Sequence, residues 1–172
     1  MFWTPLIFGR YENLTLPEVV LRDPNWFFRA YQNRSFESDD LELDEAFWIQ
    51  LQAKHIQRRA RHIKLPQNDL EQYEVEYIFD LNGKLEHMTV ANAIRNRPAD
   101  PSSIFRKHID LGVPYEIGKN DRNGGQIVIN FFKNYVFYDK EITLTAETCE
   151  EFFDNDDNFD LGQTIKPKGF FF

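Results

Sequence analysis

A chain of 172 residues with 17 phenylalanines, 7 tyrosines and 3 tryptophans has enough apolar area for one packed domain, which excludes a disordered protein. Its formal net charge of −8 excludes a surface that attracts nucleic acid everywhere, but it leaves room for a local basic patch. The lone cysteine, Cys149, excludes an internal disulfide and predicts a reducing, cytoplasmic compartment. The lack of a long apolar run predicts that the chain has no membrane span.

Two adjoining helices are predicted near the front of the chain. Thr15 and Glu18 have the spacing of a capping box, in which a hydroxyl and a carboxylate each meet a free amide at a helix start. They predict a helix over 16–22. Asp23 and Pro24 then start a second helix, because proline is well tolerated at the first helical position.

The next predicted helix is the longest, and it carries a basic face. Its apolar stripe repeats every three or four residues and ends before Pro66; the stripe consists of Ala46, Ile49, Ala53, Ile56, Ala60 and Ile63. The basic residues off the stripe are Lys54, His55, Arg58, Arg59, Arg61, His62 and Lys64. Such a face offers phosphate contacts. The alternative interpretation is a solvated face that pairs with the chain's own acids.

A change from helical to alternating spacing predicts strands in the second half of the chain. Residues 73–79 alternate, Asn82-Gly83 is a hairpin signal, and 85–90 forms the returning strand. Further along, the pattern predicts a short helix over 102–111, a second hairpin of 112–119 with 126–132, strands over 134–138 and 141–144, and a short helix from 147.

This order predicts an α+β fold with N-terminal helices packed on a mostly antiparallel sheet. A single domain is predicted over 1–146, mainly helical over 1–65 and mainly β over 66–146. An acidic and aromatic tail follows over 147–172. Residues 141–160 alone contain eight acids and neither lysine nor arginine.

Candidate catalytic and metal-ligating residues are sparse, so no cofactor, metal or catalytic residue is predicted. His55 and His62 are seven residues apart with a guanidinium between them, which does not suit a metal ion. Glu74, Glu76 and Asp80 share one face of a predicted strand. Whether these carboxylates are catalytic or simply exposed stays open from the sequence.

The front motif resembles the small C-terminal domain of exodeoxyribonuclease X-like proteins and of related short phage and bacterial proteins. The matching segments are Phe8-Gly9-Arg10-Tyr11, Leu16-Pro17-Glu18-Val19, Asp23-Pro24 and Trp26-Phe27-Phe28. The resemblance covers about the first third of the chain and implies an association with DNA processing, with Arg10 as a contact residue. The exonuclease half of such enzymes uses an Asp-x-Glu pair on a strand together with later aspartates. This complete set cannot be placed in the sequence, so the resemblance implies an accessory module rather than a nuclease.

We therefore expect a non-catalytic module that binds nucleic acid or a DNA-processing protein through Arg10, Lys54, Arg58, Arg59, Arg61 and Lys64. The alternative is a protein-interaction module in which Phe170, Phe171 and Phe172, or the Ala/Ile stripe, dock on a partner or on a second copy. Two further alternatives are a phage-type inhibitor whose acidic tail imitates phosphates, and an unrecognised enzyme.

Overall fold

Helices lie before and after a small sheet in the computed structural model, which describes residues 2–37, 40–57, 73–92 and 102–162. The helices are α1 (Leu16–Arg22), α2 (Pro24–Gln32), α3 (Asp40–Ala53), α4 (Val113–Gly118), α5 (Arg122–Phe132) and α6 (Ala146–Asp154). The strands are β1 (Tyr73–Phe79), β2 (Leu85–Asn92) and β3 (Ser103–Arg106). The predicted α+β class is confirmed. In these ranges no helix combines the length and the apolar character that crossing a membrane requires.

The sheet has the strand order β2-β1-β3, and both pairings are antiparallel. The first predicted hairpin is confirmed, with Gly83 in its turn at a φ of 74°. On β1, Val75, Tyr77 and Phe79 are buried and alternate with partly exposed side chains, as the sequence pattern predicts.

The two N-terminal helices begin where the sequence predicts. The Thr15 N–H donates to Glu18 Oε2 at 3.0 Å at the start of α1. The Trp26 N–H donates to Asp23 Oδ1 at 3.0 Å at the start of α2. Asp23 thus lies between the two helices and turns the chain from one to the next.

The predicted long basic helix is wrong beyond Ala53, where α3 ends. Ile56 forms antiparallel bridges to Ile109 and to Phe159 instead of a further helical turn. Its backbone N–H donates to Ile109 O at 3.2 Å, so an extended segment satisfies groups that the helix would otherwise have used. The rest of the predicted helix, residues 58–65, lies outside the described residues.

The second half of the chain is more helical than the sequence pattern predicts. The short helix expected over 102–111 is wrong, because β3 occupies 103–106. The second hairpin is also wrong: α4 and α5 take its place, and a π-helical turn follows at Lys133–Phe137. No strand forms over 141–144 within the described residues, whereas the helix expected near 147 is confirmed as α6.

α6 contributes to the same core as the N-terminal helices. Cys149, Phe152 and Phe153 are buried in it, and α6 packs against α1. The acidic residues of this segment project outward, with Glu147 and Glu151 exposed. The core is thus built from both ends of the described chain.

Candidate nucleic-acid interface

A cationic pocket of about 330 Å³ lies where Arg10, the start of α2 and the loop between α4 and α5 meet. Its cations are Arg10, Arg29, Lys119 and Arg122, and Asp23 is the one acid among the described residues that line it. Four cations against one carboxylate leave a formal excess of three positive charges. This excess is opposite in sign to the net charge of −8 of the whole chain. We call this site the Arg10 pocket.

Glycine at position 9 allows the turn before Arg10 to close against α2. Its φ is +75°, a conformation that residues with a Cβ rarely adopt. A Cβ at this position would also lie only 3.0 Å from Cζ2 of Trp26. The turn is closed by the Glu12 N–H, which donates to Gly9 O at 3.3 Å. The side chain of Arg10 therefore begins beside Trp26, which also lines the pocket.

Arg10 is held by a carboxylate that also caps a helix. Its Nη2 donates to Asp23 Oδ2 and, at 2.9 Å, to the Tyr11 hydroxyl oxygen. The Tyr11 hydroxyl donates to the same Asp23 oxygen at 2.8 Å. Burial lowers the pKa of Arg10, but the Tyr11 hydrogen bond and the charge of Asp23 outweigh it, so this pKa is raised. The side chain is still 52% exposed, which leaves donors for an incoming anion.

The other three cations of the pocket make no ion pair within the described part of the chain. Arg29 Nη1 donates to Asn120 Oδ1 at 3.4 Å, and Lys119 Nζ lies 5.0 Å from the centre of the Tyr115 ring. Arg29, Lys119 and Arg122 are all exposed. Their charges are therefore available to an anion that enters the pocket.

A buried network holds the starts of α2 and α5 together at the base of the pocket. Asn25 Nδ2 donates to the backbone oxygen of Asp121. The Asp121 carboxylate accepts the Gly124 N–H at 2.9 Å and, from β2, the Leu85 N–H at 2.7 Å. A Cβ on Gly124 would lie 2.2 Å from Asp121 Oδ2, so glycine is required there. The first turns of α2 and α5 thus meet at the base of the pocket, and each is capped by an aspartate.

Of the sequence-predicted site residues the structure describes two, Arg10 and Lys54, and it places them in different clefts. Arg10 lines the Arg10 pocket, whereas Lys54 lies past the end of α3, forms an ion pair with Glu116 and lines another cleft. The remaining predicted residues lie outside the described residues: Arg58, Arg59, Arg61, Lys64, Phe170, Phe171 and Phe172.

Three of the pocket's cations, Arg29, Lys119 and Arg122, are not among the site residues predicted from the sequence. Arg29 lies on the exposed face of the correctly predicted second helix, so helical periodicity was a signal for it. Lys119 and Arg122 were assigned to a hairpin, and no local signal links them to Arg10. Their proximity comes from the packing of α2 against α4 and α5.

Asp80 and Glu76, two of the three candidate carboxylates on and next to β1, have structural partners. Asp80 Oδ1 accepts the N–H groups of Asn82 and Lys84, both at 2.8 Å, and closes the hairpin turn. Glu76 Oε1 accepts the Ser103 hydroxyl at 3.0 Å.

The described residues also contain no activated thiol and no group of three or more metal-ligating side chains. Burial, with a contribution from the charge of Glu18, raises the pKa of the Cys149 thiol to about 12.

A search of protein-family models, of curated proteins and of solved structures finds no match to this chain. The fold and site define an α+β domain with a cationic pocket at its N-terminal motif. The resemblance to the exodeoxyribonuclease X-like domain stays a prediction.

Proposed function

We propose that this chain is a non-catalytic accessory module of DNA processing that binds nucleic acid through phosphate contacts in the Arg10 pocket. The observation that carries the proposal is the excess of cations in this pocket on an otherwise acidic chain. Phosphate contacts from lysine and arginine supply most of the sequence-independent affinity for nucleic acid.

The residue types of the pocket suit a nucleic-acid backbone. Arg10, Arg29 and Arg122 carry planar guanidinium groups, which bind phosphate oxygens in a bidentate manner. Trp26 lines the same pocket and its side chain is half-buried, so it offers an apolar surface beside the charges. A pocket of this kind positions a backbone without reading its sequence.

Fluorescence anisotropy with labelled single- and double-stranded DNA tests the proposal. We expect binding at about 50 mM salt that weakens steeply as salt rises. Arg122→Ala should weaken binding to all sequences and reduce the salt slope by about one, because one phosphate contact is lost. Lys140→Ala is the matched control, since it removes an exposed cation away from the pocket. Absence of binding at low salt, or equal effects of the two variants, would overturn the proposal.

A second candidate function is an inhibitor or interaction module that presents acids in place of phosphates. The observation that favours it is the acidic outer face of α6, where Glu147 and Glu151 are exposed one helical turn apart. Such a module does not bind DNA itself but competes with DNA for a DNA-processing protein. Failure to bind any oligonucleotide, together with loss of competition in the Glu147→Gln/Glu151→Gln variant, would support it.

A further inference from the structure

A second cleft, of about 480 Å³, lies between the segment that follows α3, the segment that follows β3, and α4. It contains two histidines, His55 and His108, whose ring centres are 5.7 Å apart. We call it the histidine cleft. Neither the Arg10 pocket nor the proposed DNA binding makes use of it.

Three extended segments place these histidines on one surface. Ile56 bridges Ile109 on one side and Phe159 on the other, and all three side chains are buried. Successive side chains of extended backbone point to opposite faces, so the preceding residues His55 and His108 face away from the core. Asp160 joins them, because its N–H donates to His55 O at 3.0 Å.

The hydrogen bonds of both rings define where a proton would be added. His55 Nδ1 lies 2.8 Å from Leu51 O and must donate to that carbonyl, so Nε2 is the nitrogen that gains a proton. His108 Nε2 lies 3.4 Å from Asp160 Oδ2, so a proton on this nitrogen faces a carboxylate. A second positive ring at 5.7 Å disfavours double protonation unless an anion sits nearby.

Among the described residues, the fixed charges around the two rings cancel one another. The cations facing the cleft are Lys54 from the end of α3, and Arg106 and Lys107 from the β3 side. The acids are Asp110, Glu116 of α4, and Asp160. Lys54 pairs with Glu116, Lys107 Nζ lies 3.0 Å from Asp160 Oδ2, and Arg106 Nε lies 3.9 Å from Asp110 Oδ2. Protonation of both imidazoles therefore adds two positive charges to a cleft whose described fixed charges balance.

One of the carboxylates reinforces this change. Burial raises the pKa of Asp110 to about 6, so this carboxylate loses its charge as the pH falls through that value and the cleft becomes more positive. The Lys107 hydrogen bond lowers the pKa of Asp160, which stays ionised and continues to orient His108. A metal ion does not suit the cleft, because Lys54, Arg106 and Lys107 repel it. In the described chain no three metal-ligating side chains converge.

We propose that the histidine cleft is a second anion site, which takes a terminal phosphate group when His55 and His108 are protonated. The ligand class is a phosphate monoester, either the terminal phosphate of a nucleic acid or that of a small molecule. Binding of the anion and protonation of the rings are linked, so each strengthens the other by the same factor.

Sulfate is the first probe, because it keeps both charges between pH 5.5 and pH 7.5 while phosphate monoesters titrate near pH 6. NMR of the histidine ring protons of the whole chain follows both the protonation and the binding. We expect sulfate to raise the pKa of His55 and His108, and its affinity to rise about tenfold or more from pH 7.5 to pH 5.5. Unshifted rings, or equal affinity at the two pH values, would overturn the proposal.

Matched variants separate this site from other sources of affinity. His55→Gln and His108→Gln should each weaken the pH dependence, whereas His87→Gln, which removes an exposed histidine on β2, should preserve it. Arg122→Ala should also preserve it, so this site and the Arg10 pocket can fail independently. Undiminished pH dependence in both cleft variants would refute the proposal. Because wild-type ring titrations need no variant, the test holds even if a variant misfolds.

The two sources of phosphate are distinguished by three ligands at pH 5.5. These are a 5′-phosphorylated oligonucleotide, the same oligonucleotide with a 5′-hydroxyl, and inorganic phosphate. Preference for the phosphorylated end over both others identifies a nucleic-acid terminus. Equal competition by inorganic phosphate identifies a small phosphate ester. If none of the three shifts the rings, the cleft is not a phosphate site.

Discussion

Single carboxylates at helix starts organise the candidate site. Asp23 caps α2 and holds Arg10, and Asp121 caps α5 and holds the Leu85 N–H of β2. Each therefore performs a local task that the sequence reveals and a long-range task that it does not. Because ionised acceptors make stronger hydrogen bonds than neutral ones, these two residues fix the geometry of the Arg10 pocket.

At the scale of one residue, the buried carboxyl of Asp110 should make the stability of the fold depend on pH. Burial raises its folded-state pKa to about 6, above the unfolded value near 3.9. Between these values the folded state binds more protons than the unfolded state, so stability falls as pH rises. Asp110→Asn cannot titrate but keeps an acceptor for the Gly112 N–H. The variant should gain up to about 3 kcal/mol relative to the wild type between pH 4 and pH 7.

Urea denaturation of both proteins across this pH range measures that difference. Other titrating groups contribute equally to both proteins and cancel in the comparison. A difference that stays constant from pH 4 to pH 7 would show that the Asp110 carboxyl is not perturbed by its burial.

At the scale of elements, the sequence predicts those helices and strands correctly whose ends are set by hydrogen bonds between neighbouring residues. The caps at Thr15 and Asp23 place α1 and α2, and Asn82-Gly83 places the β1–β2 hairpin. Each of these signals acts within four residues of the chain, so no tertiary contact was needed to read it.

The sequence-based predictions are wrong where contacts between residues far apart in the chain determine the secondary structure. The apolar stripe continues past Ala53, but pairing of Ile56 with Ile109 and Phe159 replaces the helix there. Residues 122–132 contain two glycines and a β-branched run, which is typical of a hairpin. They form α5, because Asp121 caps it and the glycines allow Asn25 and Asp121 to approach.

The candidate site was predictable only in part for the same reason. Arg10 was found because its motif is local. Arg29, Lys119 and Arg122 join it through helix packing between segments about 90 residues apart, which no periodicity encodes.

The carboxylate of Asp121, which joins the start of α5 to β2, should contribute strongly to the stability of the fold. Asp121→Ala removes the cap of α5 and leaves the Leu85 N–H without its partner. We expect a loss of about 2–4 kcal/mol, because a lost cap and an unpaired buried amide each contribute. Asp139→Ala is the matched control: this aspartate accepts the Glu141 N–H in an exposed turn and should cost less than about 1 kcal/mol. Equal urea midpoints for the two variants would contradict the assigned role of Asp121.

At the scale of the whole molecule, the acidic residues are concentrated in one segment, whereas the hydrophobic core is built from the N-terminal helices, the sheet and that segment together. Eight acids lie within 141–160, yet the same segment contributes Phe152, Phe153 and Phe159 to the core that contains α1, α2 and β1. The acids are therefore carried by an integral part of the fold. The acidic surface of residues 141–160 and the cationic Arg10 pocket stay apart because both are held in place by the same hydrophobic core.

Phe153 tests whether the C-terminal segment and the N-terminal helices unfold together. Its side chain is 1% exposed and stacks on Phe159, with ring centres 5.5 Å apart. Its backbone oxygen accepts Gln52 Nε2 of α3 at 3.0 Å. Phe153→Ala should cost about 3–5 kcal/mol, whereas Phe47→Ala should cost much less, because Phe47 is 44% exposed on α3.

In a shared core this loss should move the urea midpoints of tryptophan fluorescence and of far-UV circular dichroism together. The fluorescence reports mainly on Trp3, Trp26 and Trp48, which belong to the core or pack against it. The circular dichroism reports on all helices, including α6. If the tryptophan midpoint stays at its wild-type value while part of the helical signal is lost early, α6 unfolds separately and the cooperative unit ends before it.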